Sequence, residues 1–281
     1  MAKTFRFYGG KSRLASWIVF HFPHHKTYVE AFGGSASVLL TKPPSNLEIY
    51  NDKDERLVTL FRVLRNKPED LIYKVQMTLY AQTEFQEAQR ILRNPSAYDE
   101  VDVAWAVLVV IYQSMGCIGR NWAREKREVS RTAQWKKLPE KIQCIVENIK
   151  SRNLLIENGD AINVIERYDS EDTLIYCDPP YLPSTRKAPV VYAYEMSEED
   201  HIKLLETLLS VKGKVVLSGY DNPLYNEYLK GWHKSYYKTI TTAFNRSSGE
   251  ESSRIKVLWM NFPPTCILGQ ERGKEKEVRR K

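Results

Sequence analysis

Thr27-Tyr28-Val29-Glu30-Ala31-Phe32-Gly33-Gly34, then Ser35-Ala36-Ser37-Val38-Leu39-Leu40, then Leu47-Glu48-Ile49-Tyr50-Asn51-Asp52 is the stretch that decides the fold class. Its first six residues are dominated by β-branched, aromatic and apolar side chains, which predicts a short strand. The glycine pair predicts a tight turn, and the small residues from Ser35 predict the start of a helix. Leu47 to Tyr50 predicts a second strand, ended by Asn51-Asp52. Strand, glycine turn, helix and strand make the opening of a nucleotide-binding α/β unit. Asp52 lies 18 residues beyond Gly34, where an acidic group can grip ribose hydroxyls; it could equally cap the next helix.

The pattern changes downstream. Leu57, Leu60, Phe61 and Leu64 recur at helical spacing until Asn66-Lys67-Pro68 breaks the run. Further helical stretches follow to Met115, among them the apolar run Val103 to Val110. Strands return at Leu154 to Ile156, Thr173 to Tyr176 and Lys214 to Leu217, with a helix from Asp200 to Leu209. Two late strands are expected at Lys234 to Ile240 and Ile255 to Phe262. The reading is an α/β, Rossmann-like sheet domain built from residues 1–52 and 151–269, interrupted by a mostly helical domain at 53–150, with a disordered charged tail at 270–281.

The chain has 281 residues and a formal charge of +7. The tail after Gly269 supplies +3 of this. The window Arg120 to Lys141 alone carries +5, with Trp122 and Trp135 interleaved. Basic residues with aromatics suit phosphate contact and base stacking; a solvated helix face is the other reading of the same window. No apolar run is long enough for a membrane helix and no signal-peptide pattern opens the chain, so a cytoplasmic protein is expected. Cys117, Cys144, Cys177 and Cys266 are widely spaced, which argues against a zinc site or a disulfide framework. His21, His24 and His25 read as a surface turn, and no metal is expected.

Asp178-Pro179-Pro180-Tyr181 follows the apolar strand Thr173 to Tyr176, at the strand end where open α/β sheets bind ligands. The motif suits an aromatic amine as substrate. The lone pair of such an amine is delocalised into its ring, so the amine is a poor nucleophile until acceptors hold its N–H groups. The Asp178 carboxylate and the Pro179 carbonyl are two such acceptors, and Tyr181 offers a face on which an extruded base can stack. Cys177, ending the strand, reads as core packing.

Phe7-Tyr8-Gly9-Gly10-Lys11, Val29 to Ala36, Tyr50-Asn51-Asp52, Gly159-Asp160 and Asp178 to Tyr181, in that order, resemble the Dam-type DNA adenine methyltransferases. The resemblance runs from about Phe5 to Phe262. It implies a site-specific enzyme that transfers a methyl group from S-adenosylmethionine to the N6 amine of adenine in double-stranded DNA, by base flipping and direct displacement. Asp178, Pro179, Pro180 and Tyr181 are the implied catalytic residues. The implied cofactor set is Phe7, Tyr8, Gly10, Lys11, Glu30, Phe32, Gly33, Gly34, Ser35, Asp52, Asp160 and Asp178. Within it Phe7 and Tyr8 lie beside the cofactor, Lys11 meets its carboxylate, and Gly33 and Gly34 let backbone approach its methionine part. Asp160 meets its adenine amine, or caps the helix Ala161 to Tyr168. The implied DNA contacts are Arg120, Asn121, Trp122, Arg124, Lys126, Arg127 and Arg131. The loop Asn245 to Ser253 could close near the substrate.

The chain departs from the family at Ala36, where the glycine loop commonly ends in glycine, and at Phe7, where some members carry tryptophan. It lacks the hairpin residues of members that read GATC, and Ser114 to Trp122 occupies that region. A bacterial, archaeal or phage origin and a companion restriction endonuclease fit the resemblance. An RNA adenine methyltransferase, a DNA cytosine-N4 methyltransferase and a non-catalytic DNA-binding relative are the alternatives.

Overall fold

A computed structural model describes residues 4–124, 131–182, 185, 194–240 and 253–264. Lys126, Arg127, Cys266, most of the loop from Asn245 and the charged tail lie outside the described residues. Seven strands form one sheet: β1 (Thr27–Glu30), β2 (Leu47–Asn51), β3 (Leu154–Glu157), β4 (Thr173–Cys177), β5 (Lys214–Tyr220), β6 (His233–Ile240) and β7 (Ser253–Met260). Their order is β3-β2-β1-β4-β5-β7-β6. The first five run parallel, and β7 is antiparallel to both its neighbours.

From β1 the chain steps outward through β2 and β3 on one side, and through β4 and β5 on the other. The switch point therefore lies between β1 and β4, where a crevice must open at the carboxyl ends. Register sets its level. Glu30 is opposite Tyr176, so the chain leaves both strands together, into Ala31-Phe32-Gly33 on one side and Asp178 on the other.

Side chains alternate across the sheet with a period of two. Tyr28, Tyr50, Leu174, Tyr176, Val216 and Leu258 face one core, while Val29, Ile49, Ile175, Leu217, Val257 and Trp259 face the other. The second core is covered by α8 (Ala161–Tyr168), α9 (Glu198–Ser210) and α10 (Pro223–Tyr228). The first is shared with α1 (Ala15–Phe20) and with the helices inserted between β2 and β3. These are α2 (Glu55–Asn66), α3 (Pro68–Met77), α4 (Gln82–Arg93), α5 (Glu100–Gln113), α6 (Arg131–Lys136) and α7 (Leu138–Lys150).

The apolar run Val103 to Val110 is the middle of α5, and its residues from Val103 to Val109 are buried on every side. Because α2, α5 and α7 contribute to the same core as Tyr50 and Tyr176, the inserted helices and the sheet are packed as one hydrophobic body. At the other end of β2, Glu48 is fully buried and holds Lys42 at 2.5 Å and Arg152 at 2.9 Å, which ties β2 to the end of α7. Among the described residues no helix is long and apolar enough to cross a membrane, and no group of three or more His, Cys, Asp or Glu could hold a metal ion.

The helix expected from Ser35 to Leu40 is a run of turns instead. Gly34 and Ala36 have φ of 52° and 51°, left-handed values that a right-handed helix excludes. The Leu39 amide donates to the Glu30 carboxylate instead of to a carbonyl one helical turn back.

Candidate active site

The loop after β1 is fastened from three directions. Glu30, the last residue of β1, accepts from the Tyr28 hydroxyl and the Leu39 amide, both at 2.7 Å. Burial pushes its carboxyl up to about 8. The Gly34 peptide is clamped at both ends, its N–H donating to Asp52 at 2.7 Å and its carbonyl accepting from Tyr50 at 2.8 Å. Asn51 bridges the loops: its amide nitrogen donates to Ala31 O, and its oxygen accepts from Gly159 N, each at 2.9 Å.

Each of the two glycines also meets a requirement of the fold itself. A Cβ on Gly33 would stand 2.2 Å from the ring of Tyr50, so the need is packing against the protein's own core. Gly34 is needed for its positive φ.

Asp54, not Asp52, caps α2, its carboxylate accepting from Arg56 N. That leaves Asp52 to the loop and the cavity; burial raises its carboxyl to about 6. Asp160 does cap α8, accepting from Ile162 N, and it also borders the cavity.

The catalytic motif begins where β4 ends. Asp178 Oδ2 is paired with the buried ammonium of Lys11. Oδ1 is buried, with no donor among the described residues. Lys11 thus pairs with the Asp178 carboxylate and borders the cavity as well. Pro179 is buried, Pro180 half-buried. The Tyr181 ring meets Tyr220 edge-on at 4.8 Å, and Lys256 donates to its hydroxyl at 2.8 Å.

One cavity of about 240 Å³ joins the glycine loop, Asp52, Asp160, Lys11 and Asp178. Every residue expected around the cofactor borders it, from Phe7, Tyr8, Gly10 and Lys11 through the glycine loop to Asp52, Asp160 and Asp178. It is also bordered by Asn51, the neighbour of Asp52 in its motif, and by Leu57, Tyr194 and Met196, to which no motif pointed. Tyr220 and Lys256 were missed as well. Position was the available signal for Tyr220, since it ends a strand neighbouring β4.

The basic window divides. Residues 114–122 form a small loop closed by a bridge between Ser114 and Trp122 and by Met115 N donating to Asn121 O. Arg120, Asn121 and Arg124 are exposed. Arg131 donates to Ser114 O at 3.2 Å, bracing this loop. Trp122 is half-buried against Tyr80. Trp135 corrects the stacking expectation: it is 4% exposed and its indole N–H donates to Thr78 O, so it is core.

A parallel sheet of order 3-2-1-4-5-7-6 with an antiparallel seventh strand, a glycine loop after β1 and an acidic residue after β2 define a Rossmann-like methyltransferase. Residues 7–245 match the family model of the D12 class N6 adenine-specific DNA methyltransferases, and the chain belongs to that family. It is accordingly an adenine-specific DNA methyltransferase. It is 25% identical over 264 residues to the type II methyltransferase M1.LlaDCHI of Lactococcus lactis subsp. cremoris, covering 89% of this chain and 90% of that one. It is 23% identical over 265 residues to the DNA adenine methylase of Salmonella typhi, with the same coverage.

Proposed function

We propose that the chain takes its methyl group from S-adenosylmethionine and delivers it to an adenine extruded from double-stranded DNA against Tyr181. The observation that carries this reading is Asp178 itself: it borders the cavity that Asp52 and the glycine loop also line, and its Oδ1 is buried with no donor among the described residues. The two oxygens of Asp178 divide the work. Oδ2 holds Lys11; Oδ1 accepts one amine N–H, and the Pro179 carbonyl accepts the other.

Fully engaged N–H groups leave the nitrogen lone pair as the outward-facing orbital. The remaining task is orientation. When bound, S-adenosylmethionine supplies a methyl already activated by its sulfonium, so no covalent enzyme adduct is needed. The fit to that donor is chemical. Asp52 keeps lone pairs for ribose hydroxyls beyond the two it gives to backbone amides, and the exposed Asp160 carboxylate, whose Oδ2 lies 3.9 Å from the Lys53 ammonium, has capacity left to accept from an adenine amine. Phe7 and Tyr8 wall the cavity.

DNA lies over residues 114–124, whose exposed Arg120, Asn121 and Arg124 meet phosphates and base edges, and Lys126, Arg127 and Arg131 extend that contact. The inserted helices 53–150 serve as the recognition part. The enzyme acts in the cytoplasm of a bacterium, an archaeon or a phage-infected cell. The type II designation of the Lactococcus relative favours a restriction endonuclease as companion.

The test is nucleoside mass spectrometry of plasmid DNA from a host lacking adenine methylation, comparing wild type with Asp178→Ala and Asp178→Asn. N6-methyladenine in the wild type alone is expected. Methylcytosine in its place would change the base, and methylation surviving in both variants would remove Asp178 from the chemistry. Sequencing of the methylated plasmid then reads out the target site.

A further inference from the structure

Tyr181 lies in the loop beyond β4, where no strand pairing fixes it. The torsion that sets a tyrosine ring's plane is broad, yet a stacking surface must be held in one plane. The fold supplies the restraint from the far side of the sheet. Because β7 runs antiparallel to β5, Lys256 comes opposite Tyr220 at the carboxyl end of the parallel strands, and the two share a face. The Lys256 ammonium lies 4.2 Å from the ring centre of Tyr181 and 4.4 Å from that of Tyr220. It also donates to the Tyr181 hydroxyl at 2.8 Å. The two rings meet each other at 68°. One half-buried cation thus holds the hydroxyl end of Tyr181 and bridges it to a second ring, by a charge-assisted hydrogen bond and two cation–π contacts.

We propose that Lys256, with Tyr220 as its buttress, is a positioning residue that sets the plane of the Tyr181 ring for the extruded base. The inference rests on the reading that Tyr181 stacks that base. Lys256 is 75 residues from Tyr181, which is why no motif joins them.

The test is a double-mutant cycle on the full-length enzyme, with DNA bearing the target site read from the methylated plasmid. Lys256→Met lowers kcat/KM for DNA about tenfold, the worth of one charge-assisted hydrogen bond, and leaves S-adenosylmethionine affinity within about twofold. Lys256→Arg restores most of the activity. In a Tyr181→Phe background, where the hydroxyl acceptor is gone, Lys256→Met costs less than about twofold more. With 2-aminopurine at the target position, the quenched emission of the stacked base becomes brighter in Lys256→Met.

Wild-type behaviour of Lys256→Met overturns the proposal. So does a loss that persists undiminished in the Tyr181→Phe background, which would assign Lys256 to a DNA phosphate. Full activity in Tyr181→Ala refutes the stacking reading itself and is a separate failure. Thermal melting and cofactor binding report folding of each variant, and Lys256→Gln takes the place of Lys256→Met in the cycle if the latter does not fold.

Discussion

Replacing Gly33 by alanine tests the packing of the glycine loop without removing any side chain proposed to bind or react. The added methyl would stand 2.2 and 2.6 Å from carbons of the Tyr50 ring, more than 1 Å inside ordinary contact. The ring has nowhere to retreat. Tyr50 is fully buried, and Phe61 of α2 lies behind it with ring centres 4.4 Å apart. Overpacking of this kind costs about 1–3 kcal/mol. If the ring turns aside it also gives up the hydrogen bond to Gly34 O, about 1 kcal/mol more. The expected loss is then about 2–4 kcal/mol, or roughly 4–16 °C in Tm for a chain of this size. Gly159→Ala is the control: its new methyl meets nothing nearer than 3.8 Å, so it should melt within about 2 °C of wild type. Circular dichroism melts of the three proteins decide the matter. Gly33→Ala melting with wild type would refute the packing argument and return Gly33 to a role in cofactor approach.

Three further outcomes follow from the same site. Glu30 is raised to about 8, so between about pH 4.5 and 8 the folded protein keeps a proton that the unfolded chain releases. Stability therefore falls as pH rises through that window, and Glu30→Gln flattens the fall in Tm measured from pH 5 to 8; an unchanged slope would show that Glu30 does not carry it. Asp160→Ala loses about 1 kcal/mol with the α8 cap, and lowers cofactor affinity as well; a stability loss with unchanged affinity in calorimetry would leave Asp160 a cap alone. Arg120→Ala keeps its Tm and reduces the salt slope of DNA binding by about one, whereas Trp135→Ala costs about 3–5 kcal/mol of stability; a Trp135 variant that melts normally but binds DNA weakly would reverse their assignments.

The strands and most helices were legible because period-two and helical spacing are strong where burial is complete, as in β4 and α5. The segment Ser35 to Leu40 misled because small residues read as a helix start, while the outcome was decided by a distant partner, the Glu30 carboxylate. Asp52 and Asp54 illustrate the same limit: both are plausible caps in sequence, and only the geometry of α2 selects Asp54. Trp135 is indistinguishable in sequence from an exposed stacking residue until α6 turns it onto Thr78. Tyr194 and Met196 border the cavity from a loop with no motif, and Lys256 arrives through an antiparallel pairing that local spacing cannot encode. Lys11 and Asp178, each legible alone, were expected on other partners, and their pairing depends on the segment before α1 reaching the end of β4.

The shared core of sheet and inserted helices constrains how this enzyme can be re-targeted. Residues 53–150 look interchangeable when drawn as a line, but α2, α5 and α7 supply the inner surface against which Tyr50 and Tyr176 are packed, and Arg152 at the end of α7 neutralises buried Glu48. A chimera joined at positions 53 and 150 would bring a foreign surface onto those rings and take away Asn148, whose side chain holds Arg152 at 2.7 Å beside Glu48. The short loop at 114–122, closed on itself by one bridge and its own backbone hydrogen bond, offers a narrower place to cut. With DNA lying over residues 114–124 as proposed, new target preferences are to be sought by exchanging that loop's exposed residues, with the helices behind it kept as they are.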